Sequence, residues 1–460
     1  MSQSDRPFDP PPEPPLLPLP GAGNPSFGET LAWLDRHINL EAIESGRAGH
    51  LGLPSLERIN ALLSALGDPQ ATYPVVHVTG TNGKGSTSRM TSALLRTCGL
   101  TVGTYMSPHL ERINERLEFD GAEISDDSFA RVLGTVAEIE RFLGIRATWF
   151  ELVTAAAYTW FADLAAEVVV AEVGLGGRFD ATNVANADVA VVTNVELDHT
   201  QILGDTRELI AAEKAGIIKS GSLLVLGEQD PSIAAIFEAE AGRVGARAIW
   251  RRGEEFGCSS DRLAVGGRLV DLWTPLGHFS EVPIPVHGAH QGDNAAAAVA
   301  AAQGFLQTTL DPEVVRAAFA TVKVPGRLEV MRRHPLVVLD GAHNPAGAAA
   351  AGRALVEDFA AAERVIVVMG CLRGRDPGQL LAALGPERIA RVVACRPPSP
   401  RAQEPGEVVA AAQAMGIAAE ESDTTSEALE TALALAARDD LVLVTGSLYV
   451  VGAARTALSQ

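Results

Sequence analysis

The chain carries the stretch Gly80-Thr81-Asn82-Gly83-Lys84-Gly85-Ser86 between an apolar strand pattern at residues 75–79 and a helical pattern at residues 86–98. Glycines allow the backbone to turn tightly and to point its amide groups at a bound phosphate, and the N-terminus of the helix adds a partial positive charge. Lys84 can then reach the terminal phosphates of a nucleotide. Unlike the G-x-x-x-x-G-K-[ST] loop, this stretch has one residue fewer between its glycines, and Gly85 follows the lysine. It predicts a loop that binds a nucleoside triphosphate, with a simple glycine turn as the alternative.

Apolar β-branched runs alternate with helical patterns around this loop. Further strands are predicted at residues 168–172, 189–193 and 223–226, and their nearly continuous apolar character is typical of a parallel sheet covered on both faces. Between the strands, helices are predicted at residues 86–98, 127–143 and 154–164. This alternation indicates a doubly wound α/β domain of the P-loop type.

A second α/β series begins after Val324-Pro325-Gly326-Arg327, which predicts a linker or hinge. At 460 residues the chain is too long for one ordinary core. We therefore expect a mainly parallel, ATP-binding domain over residues 27–322 and a smaller, Rossmann-like α/β domain over residues 326–460, with a cleft between them. Helices are predicted at residues 294–303, 312–319, 345–359 and 407–415, and strands at residues 336–339, 364–369, 391–394 and 441–444.

Composition argues against several classes of protein. The net charge of -20 disfavours binding of nucleic acid through a global field, so a phosphate has to be held by a loop and by individual cations. The four cysteines form no C-x-x-C pair, which argues against a zinc site or a disulfide framework and favours a cytoplasmic setting. No apolar run is long enough to span a bilayer, so no membrane partner is expected.

The first 26 residues are rich in proline and lack the basic and apolar regions of a secretion signal. Proline removes hydrogen-bond donors, and the segment offers little apolar surface to bury. We therefore predict that residues 1–26 form a disordered tail, with a proline-rich docking motif as the alternative.

Three side chains, two of them near predicted strand ends, are candidates for metal and phosphate chemistry. Glu172 closes a strand and should face the crevice where ligands bind in open α/β sheets. His199 follows another strand, but magnesium prefers oxygen ligands, so a hydrogen-bonding core histidine is an equal alternative. Lys214 is a helical lysine among alanines, a type of residue that ordinarily snorkels at the surface.

The motifs resemble those of the Mur ligase superfamily, and most closely those of its folylpolyglutamate synthases and dihydrofolate synthases. The resemblance extends through almost the whole chain after the proline-rich tail. Beyond the loop it rests on Ser107-Pro108-His109-Leu110, Phe150-Glu151, residues 172–183, Leu197-Asp198-His199-Thr200, residues 213–219, His290-Gln291 with Asn294, residues 325–329, residues 340–345 and residues 445–449.

This resemblance implies ATP and magnesium, as two ions, with potassium as a further candidate. It implies that Asn294 contacts the nucleotide base, Asp340 the ribose and Arg327 the phosphates once the domains close. A helix cap, a turn aspartate and a surface arginine are the corresponding alternatives. The implied ATP-binding residues are Thr81, Asn82, Gly83, Lys84, Gly85, Ser86, Asn294, Arg327 and Asp340; the metal ligands are Ser107, Glu172 and His199; the catalytic residues are Lys84, His199, Arg327 and a carbamylated Lys214.

The implied reaction is ATP-dependent ligation of L-glutamate to a pterin carboxylate through an acyl phosphate, with release of ADP and phosphate. We expect a monomer that acts on small molecules, as dihydrofolate synthase on dihydropteroate and as folylpolyglutamate synthase on tetrahydrofolate. His343 and Ser447 are candidates for the glutamate side, with a helix cap and a chain turn as alternatives. The implied pterin residues are Thr148, Trp149, Phe150, Glu151, Phe179, Asp180 and Ala181, although an aromatic residue at this helix start could instead pack in the core, with Glu151 as a cap.

Several other functions compete with this hypothesis. A monofunctional folylpolyglutamate synthase is the nearest, and another Mur-type amino-acid ligase is more distant. A cell-wall ligase would need a uridine-nucleotide domain ahead of the loop. A plain P-loop ATPase or kinase leaves the second domain unexplained, and a non-catalytic nucleotide-binding protein should have lost Lys84, Glu172 or His199. One motif departs from the family pattern, because Arg373-Gly374-Arg375-Asp376 stands where a lysine-containing turn is commoner.

Overall fold

A computed structural model of the protein describes residue 19, residues 25–39 and residues 55–459. The predicted tail at residues 1–26 therefore lies outside the described residues, except for residues 19, 25 and 26. Within the described part, the chain forms an eight-stranded sheet, a three-stranded sheet and a six-stranded sheet. None of the helices in this part has the length and apolar character that a membrane crossing requires.

The eight-stranded sheet has the strand order β4-β3-β2-β5-β1-β6-β7-β8. Its six strands from β2 to β8 in this order run parallel, and β3 and β4 add an antiparallel edge. The strand before the glycine loop, β1, lies in the middle, so the loop emerges between the ends of β5 and β6. The strands are β1 (Val75–Thr79), β2 (Val102–Tyr105), β3 (Leu117–Phe119), β4 (Ala122–Glu123), β5 (Val168–Glu172), β6 (Ala187–Val192), β7 (Leu223–Leu226) and β8 (Ala248–Arg251).

Helices cover both faces of this sheet, as the continuous apolar strands require. One begins earlier than predicted, at Trp149 rather than at residue 154, because Thr148 and Glu151 form a capping box at its N-terminus. The helices are Phe27–Leu34, Glu57–Ala65, Lys84–Thr97, Asp126–Leu143, Trp149–Asp163, Thr200–Leu203, Arg207–Lys214, Pro231–Val244, His290–Leu306 and Pro312–Ala320, with short 3₁₀ turns at Pro69–Ala71, Ile113–Arg116, Ala181–Val184 and Ala215–Ile217.

The three-stranded antiparallel sheet was not predicted from the sequence. It consists of β9 (Gly257–Ala264), β10 (Gly267–Thr274) and β11 (Gly277–Ile284), joined by tight turns. Buried and partly buried residues alternate along β10 from Arg268 to Thr274, which is the pattern of a sheet with one covered face. That face packs on the alanine-rich helix His290–Leu306 within one core cluster. We call these two sheets and their helices the N-terminal unit.

The C-terminal unit contains the six-stranded sheet, with the order β12-β13-β17-β14-β15-β16. Only β12 is antiparallel to its neighbour, and separate apolar clusters cover the two faces. Its strands are β12 (Glu329–Arg333), β13 (Leu336–Leu339), β14 (Val365–Met369), β15 (Ile389–Cys395), β16 (Ala418–Ser422) and β17 (Leu441–Thr445); its helices are Pro345–Glu357, Pro377–Leu384, Pro405–Ala414, Thr425–Leu435 and Leu448–Ser459, with a 3₁₀ turn at Pro386–Arg388.

The predicted fold class is confirmed, because two mainly parallel α/β sheets follow each other along the chain. Most predicted strands differ from the observed ones by no more than two residues at either end. The strand predicted at residues 189–193, for example, is Ala187–Val192. The predicted domain limits at residues 322 and 326 stay predictions.

Candidate active site

The glycine loop follows β1, and its backbone leaves no room for side chains at two positions. Gly80 has φ 149° and Gly83 has φ 86°, in the region that glycine adopts readily. A Cβ atom at Gly80 would lie 1.8 Å from the Thr193 hydroxyl oxygen, and one at Gly83 would lie 2.5 Å from Oδ1 of Asn294. The two glycines therefore allow the loop to approach the neighbouring strand end and the helix His290–Leu306 closely.

Hydrogen bonds tie this loop to the segment after β6. The amide of Thr81 donates to the carbonyl of Asn194 (2.9 Å), and the amide of Asn82 donates to the Asn194 side chain (3.0 Å). The Thr193 hydroxyl donates to the carbonyl of Asn82 (2.6 Å). The loop is thus held in shape by the protein itself, and the helix Lys84–Thr97 begins within the Gly80–Ser86 stretch, directly after Gly83.

Two lysines converge on one carbonyl of this loop. Nζ of Lys84 donates to the carbonyl of Gly80 (3.1 Å), and Nζ of Lys214 donates to the same oxygen (3.0 Å). Lys214 is only 4% exposed, so the alternative of a snorkelling surface lysine is wrong. Burial, assisted by the charge of Lys84, lowers the pKa of Lys214 to about 7. A large fraction of this amine is therefore neutral near physiological pH.

The three predicted metal ligands line one cavity with the loop. Glu172 ends β5, and its carboxylate accepts a hydrogen bond from the amide of Ser107 (3.3 Å). Burial raises the pKa of Glu172, while the charge of Lys84 opposes that shift. The Ser107 hydroxyl is buried without a hydrogen-bond partner. An unpartnered hydroxyl beside a buried carboxylate fits a hard cation such as magnesium, whose preferred ligands are oxygens.

His199 lies beyond a stretch of loop after β6, rather than directly at the strand end. Its backbone has φ 50°, and it precedes the short helix Thr200–Leu203. Burial lowers the pKa of His199 to about 4, so the ring is neutral and one ring nitrogen keeps a lone pair that can bind a metal ion. Within residues 19, 25–39 and 55–459, no three acidic, histidine or cysteine side chains are grouped to hold a metal. A magnesium ion held by Ser107, Glu172 and His199 would therefore need further oxygen ligands from water and from the phosphates.

The structure places all three remaining nucleotide candidates in this same cavity, which has a volume of about 340 Å³. Asn294 lies inside the helix His290–Leu306 and its side chain donates to Gln291 (3.0 Å), so it is not the helix cap. Asp340 follows β13, and its carboxylate accepts from the amides of Leu328 and Ala342 (3.0 Å each). Asp340 therefore shapes a turn, as the alternative held, and also faces the cavity beside Arg327.

A second and larger cavity, of about 690 Å³, lies between the two units. It is lined by six of the seven predicted pterin residues, namely Thr148, Phe150, Glu151, Phe179, Asp180 and Ala181. Trp149 does not line it, and this prediction was wrong. Trp149 is 4% exposed, its indole nitrogen donates to Asp35 (3.4 Å), and the Arg116 guanidinium stacks 4.7 Å from the ring centre. The first turn of the helix directs Trp149 into the core and Phe150 into the cavity.

Two of the three acidic side chains that line the large cavity, Glu151 and Asp180, already accept several hydrogen bonds from the protein. The Glu151 carboxylate caps its helix by accepting from the amide of Thr148 (2.7 Å), and it also pairs with Arg58 (3.1 Å). Asp180 accepts from the amides of Leu175 (2.9 Å) and Thr182 (3.0 Å), and burial raises its pKa. The capping alternative for Glu151 is thus confirmed, and a pterin would have to share these oxygens with the backbone.

His343 and Ser447 both line the large cavity. His343 is not a helix cap, because Asn344 caps the helix Pro345–Glu357 by accepting from the amide of Gly347 (2.8 Å). One ring nitrogen of His343 is 2.8 Å from the carbonyl of Gly341. The Ser447 hydroxyl accepts from the amide of Val450 (3.3 Å) directly before the helix Leu448–Ser459, so Ser447 caps this helix rather than only turning the chain.

Some residues between the two cavities were not singled out as functional from the sequence. Asp198 and Asn344 lay inside quoted motifs but received no role. Arg375 was noted only as a departure from the family pattern. In the structure, Arg375 forms an ion pair with Asp198, and Asn344 donates to the same carboxylate (3.1 Å). No local signal could have paired positions so far apart in the chain.

Known proteins resemble the chain in sequence and in structure. The Mur ligase middle domain matches residues 78–302, and the Mur ligase glutamate ligase domain matches residues 326–448. A Mycobacterium tuberculosis protein named dihydrofolate synthase/folylpolyglutamate synthase is 38% identical over 449 residues, covering 88% of this chain and 90% of that protein. An Escherichia coli protein of the same name is 36% identical over 410 residues, covering 86% of this chain and 89% of that protein.

Solved structures match over nearly the whole chain as well. Mycobacterium tuberculosis folylpolyglutamate synthase complexed with ADP superposes with a TM-score of 0.87 at 35% identity, covering 94% of this chain and 98% of that one. Escherichia coli FolC in complex with DHPP and ADP superposes with a TM-score of 0.83 at 30% identity, with the same coverage of 94% and 98%.

Proposed function

Because the chain belongs to the dihydrofolate synthase/folylpolyglutamate synthase family of Mur ligases, we propose that it is bifunctional and accepts both dihydropteroate and reduced folates. The family's reaction is the ATP-dependent ligation of L-glutamate to a folate-type carboxylate, and the chain is a ligase of this type. ATP and magnesium are its cofactors. We further propose a cytoplasmic monomer.

One observation carries the proposal: the two cavities share a wall. Ser107, His199 and His343 line both the nucleotide cavity and the large cavity. The carboxylate of a pterin acid bound in the large cavity would therefore point toward the triphosphate end of the other. The large cavity's volume of about 690 Å³ is within the range typical of small-molecule sites.

The proposed mechanism uses the residues around this shared wall. The substrate carboxylate attacks the γ-phosphorus of ATP, ADP leaves, and an acyl phosphate forms. The ammonium of Lys84 offsets the charge that develops on the transferring group, and the loop amides of residues 81–86 hold the phosphates. Magnesium, held by Ser107, Glu172 and His199, supplies further charge neutralisation when bound. The amino group of glutamate then attacks the acyl carbon and expels phosphate.

We propose roles for the other residues that line the two cavities. Asn294, Asp340 and Arg327 contact the base, ribose and phosphates, and Lys214 acts as a carbamate. Phe150 and Phe179 offer aromatic surface to the pterin, while His343 and Ser447 face glutamate. The position of these side chains on the two cavities supports the assignments.

Closure of the two units would shield the acyl phosphate from water. We propose that residues 27–322 and 326–460 move as two domains about residues 324–326. Small-angle scattering should give a smaller radius of gyration when nucleotide and pterin acid are both present. Identical scattering with and without these ligands would contradict closure.

The deciding experiment measures ATP-dependent and glutamate-dependent product formation, with dihydropteroate and with tetrahydrofolate in parallel. Product from both substrates is expected. Product from tetrahydrofolate alone would make the enzyme a monofunctional folylpolyglutamate synthase, and product from dihydropteroate alone would make it a dihydrofolate synthase. No ADP above background with either would contradict the proposed reaction.

A further inference from the structure

Asp198 lies where the C-terminal unit meets the nucleotide cavity. Its side chain is 8% exposed, and three residues of the C-terminal unit surround its carboxylate. Arg375 forms an ion pair with it, Asn344 donates to it (3.1 Å), and a ring nitrogen of His343 is 3.5 Å away. A buried carboxylate with this many donors holds its partners in a defined geometry.

Asn344 extends this contact to the glycine loop. Its side-chain amide donates one hydrogen bond to Asp198 and another to Oδ1 of Asn82 (3.1 Å). The Asn82 side chain donates in return to Asn344 (3.3 Å). Asn344 is 1% exposed and caps the helix Pro345–Glu357, so this helix of the C-terminal unit is bonded directly to the phosphate loop.

Asp198 also shapes the backbone of its neighbour. Its carboxylate accepts from the amide of His199 (2.7 Å), and His199 has φ 50°, a conformation that is uncommon for residues other than glycine. The orientation of the His199 ring therefore depends in part on where Asp198 is held.

We propose that Asp198 is a positioning residue that couples docking of the C-terminal unit to the alignment of the phosphate loop and His199. This inference rests on the proposed function, because it concerns when the ligase site becomes complete. Docking brings Arg375 and Asn344 onto the carboxylate. Asn344 then forms its hydrogen bonds with Asn82 of the phosphate loop. In this docked arrangement the acyl phosphate is protected from water.

The alternative is that Asp198 only stabilises the contact between the two units, without a specific effect on catalysis; this is the fastening role. The chain offers a matched control in Glu111, a residue of the N-terminal unit that accepts from Arg455 and from the Thr456 hydroxyl (2.6 Å) in the last helix. Glu111 lines neither cavity. A fastening role predicts similar effects from both acids, whereas a positioning role predicts an effect on catalysis from Asp198 alone.

The test compares Asp198→Asn with Glu111→Gln in the full chain. For Asp198→Asn we expect kcat to fall about 10- to 100-fold, the scale of a misplaced reacting group. We also expect more than one ADP released per glutamate ligated, because the acyl phosphate leaks to water. Glu111→Gln should keep wild-type kcat and a ratio near one, with a similar shift in melting temperature.

A double-mutant cycle tests whether Asp198 affects kcat through its ion pair with Arg375. If Asp198 acts through Arg375, the variant Asp198→Asn/Arg375→Gln should lose no more activity than the worse single variant. Equal kcat losses in Asp198→Asn and Glu111→Gln, or unchanged ADP coupling, would overturn the inference. If Asp198→Asn does not fold, the ratio of ADP released to glutamate ligated is measured in Arg375→Gln instead. A wild-type protein without ligase activity would instead overturn the proposed function, and the inference with it.

Discussion

The two cavities share a wall but differ in the polar groups that they offer to a ligand. The nucleotide cavity holds two lysines that donate hydrogen bonds to one carbonyl of the phosphate loop. It also holds the Ser107 hydroxyl, which is buried without a hydrogen-bond partner. In the large cavity, Glu151 and Asp180 already accept hydrogen bonds from the protein, and apolar side chains supply much of the wall.

The difference indicates two ways of recognising a ligand. The nucleotide cavity should act through preorganised charge, where removal of one group costs much of the transition-state stabilisation. The large cavity should act mainly through shape and aromatic contact, where single substitutions cost less. The following variants test this difference between the two cavities.

The largest effect is expected for Lys84→Ala. Loss of its ammonium should lower kcat by about 10³-fold or more, because the proposed mechanism places this charge next to the transferring phosphate, where the negative charge develops. Steady-state ADP release with all substrates measures the loss, and circular dichroism checks the fold. Lys323→Ala, at an exposed lysine outside both cavities, is the control. Near-normal turnover by Lys84→Ala would remove the loop lysine from the mechanism.

The next largest effect should come from the loop backbone. In Gly83→Ala the added carbon would lie 2.5 Å from the Asn294 side chain, so the loop or the Asn294 side chain must shift, and the affinity for ADP should fall about 10²-fold. Gly67→Ala is closely matched, since Gly67 has the same φ of 86° but no atom within 4 Å of the added carbon. Both variants share the backbone strain of an alanine at this φ, and only Gly83→Ala adds a clash, so calorimetry should show the larger loss of stability in Gly83→Ala. Equal ADP affinity in the two would contradict the close packing of loop and Asn294.

A smaller effect follows from the pKa of Lys214, which burial lowers to about 7. Only the neutral amine reacts with CO₂, so the amine available for carbamylation should rise about tenfold from pH 6 to pH 8. ¹³C NMR with labelled bicarbonate should show a carbamate signal that grows over this range and is absent from Lys214→Arg. The same signal in Lys214→Arg would assign the carbamate to another amine.

The smallest effect is expected in the large cavity. Phe179 is 47% exposed at its rim, and loss of one aromatic contact should raise KM for dihydropteroate about fivefold in Phe179→Ala, with kcat nearly unchanged. Phe142→Ala is the control, because Phe142 is 83% exposed and lines neither cavity. A large fall in kcat for Phe179→Ala would mean that the large cavity also acts on the transition state, and the contrast would fail.

Much of the fold was predictable because it depends on local pattern. The continuous apolar runs became buried parallel strands, since a strand covered on both faces has no polar positions. The three-stranded sheet of residues 257–284 was missed, because its alternating strands bury one face against a helix elsewhere in the chain. The helix predicted at residues 154–164 lacked the first turn of the helix Trp149–Asp163, although the alternative role of Glu151 as a cap already placed a helix start there.

The sequence by itself determined the glycine loop, the strands that flank it and the residue types that handle phosphate, because φ preference, apolar periodicity and charge act over a few neighbouring residues. Only the tertiary structure decided which side chains meet. It buried Trp149, placed Lys214 on the loop carbonyl and brought Arg375 to Asp198, because those distances depend on how two sheets and their helices pack.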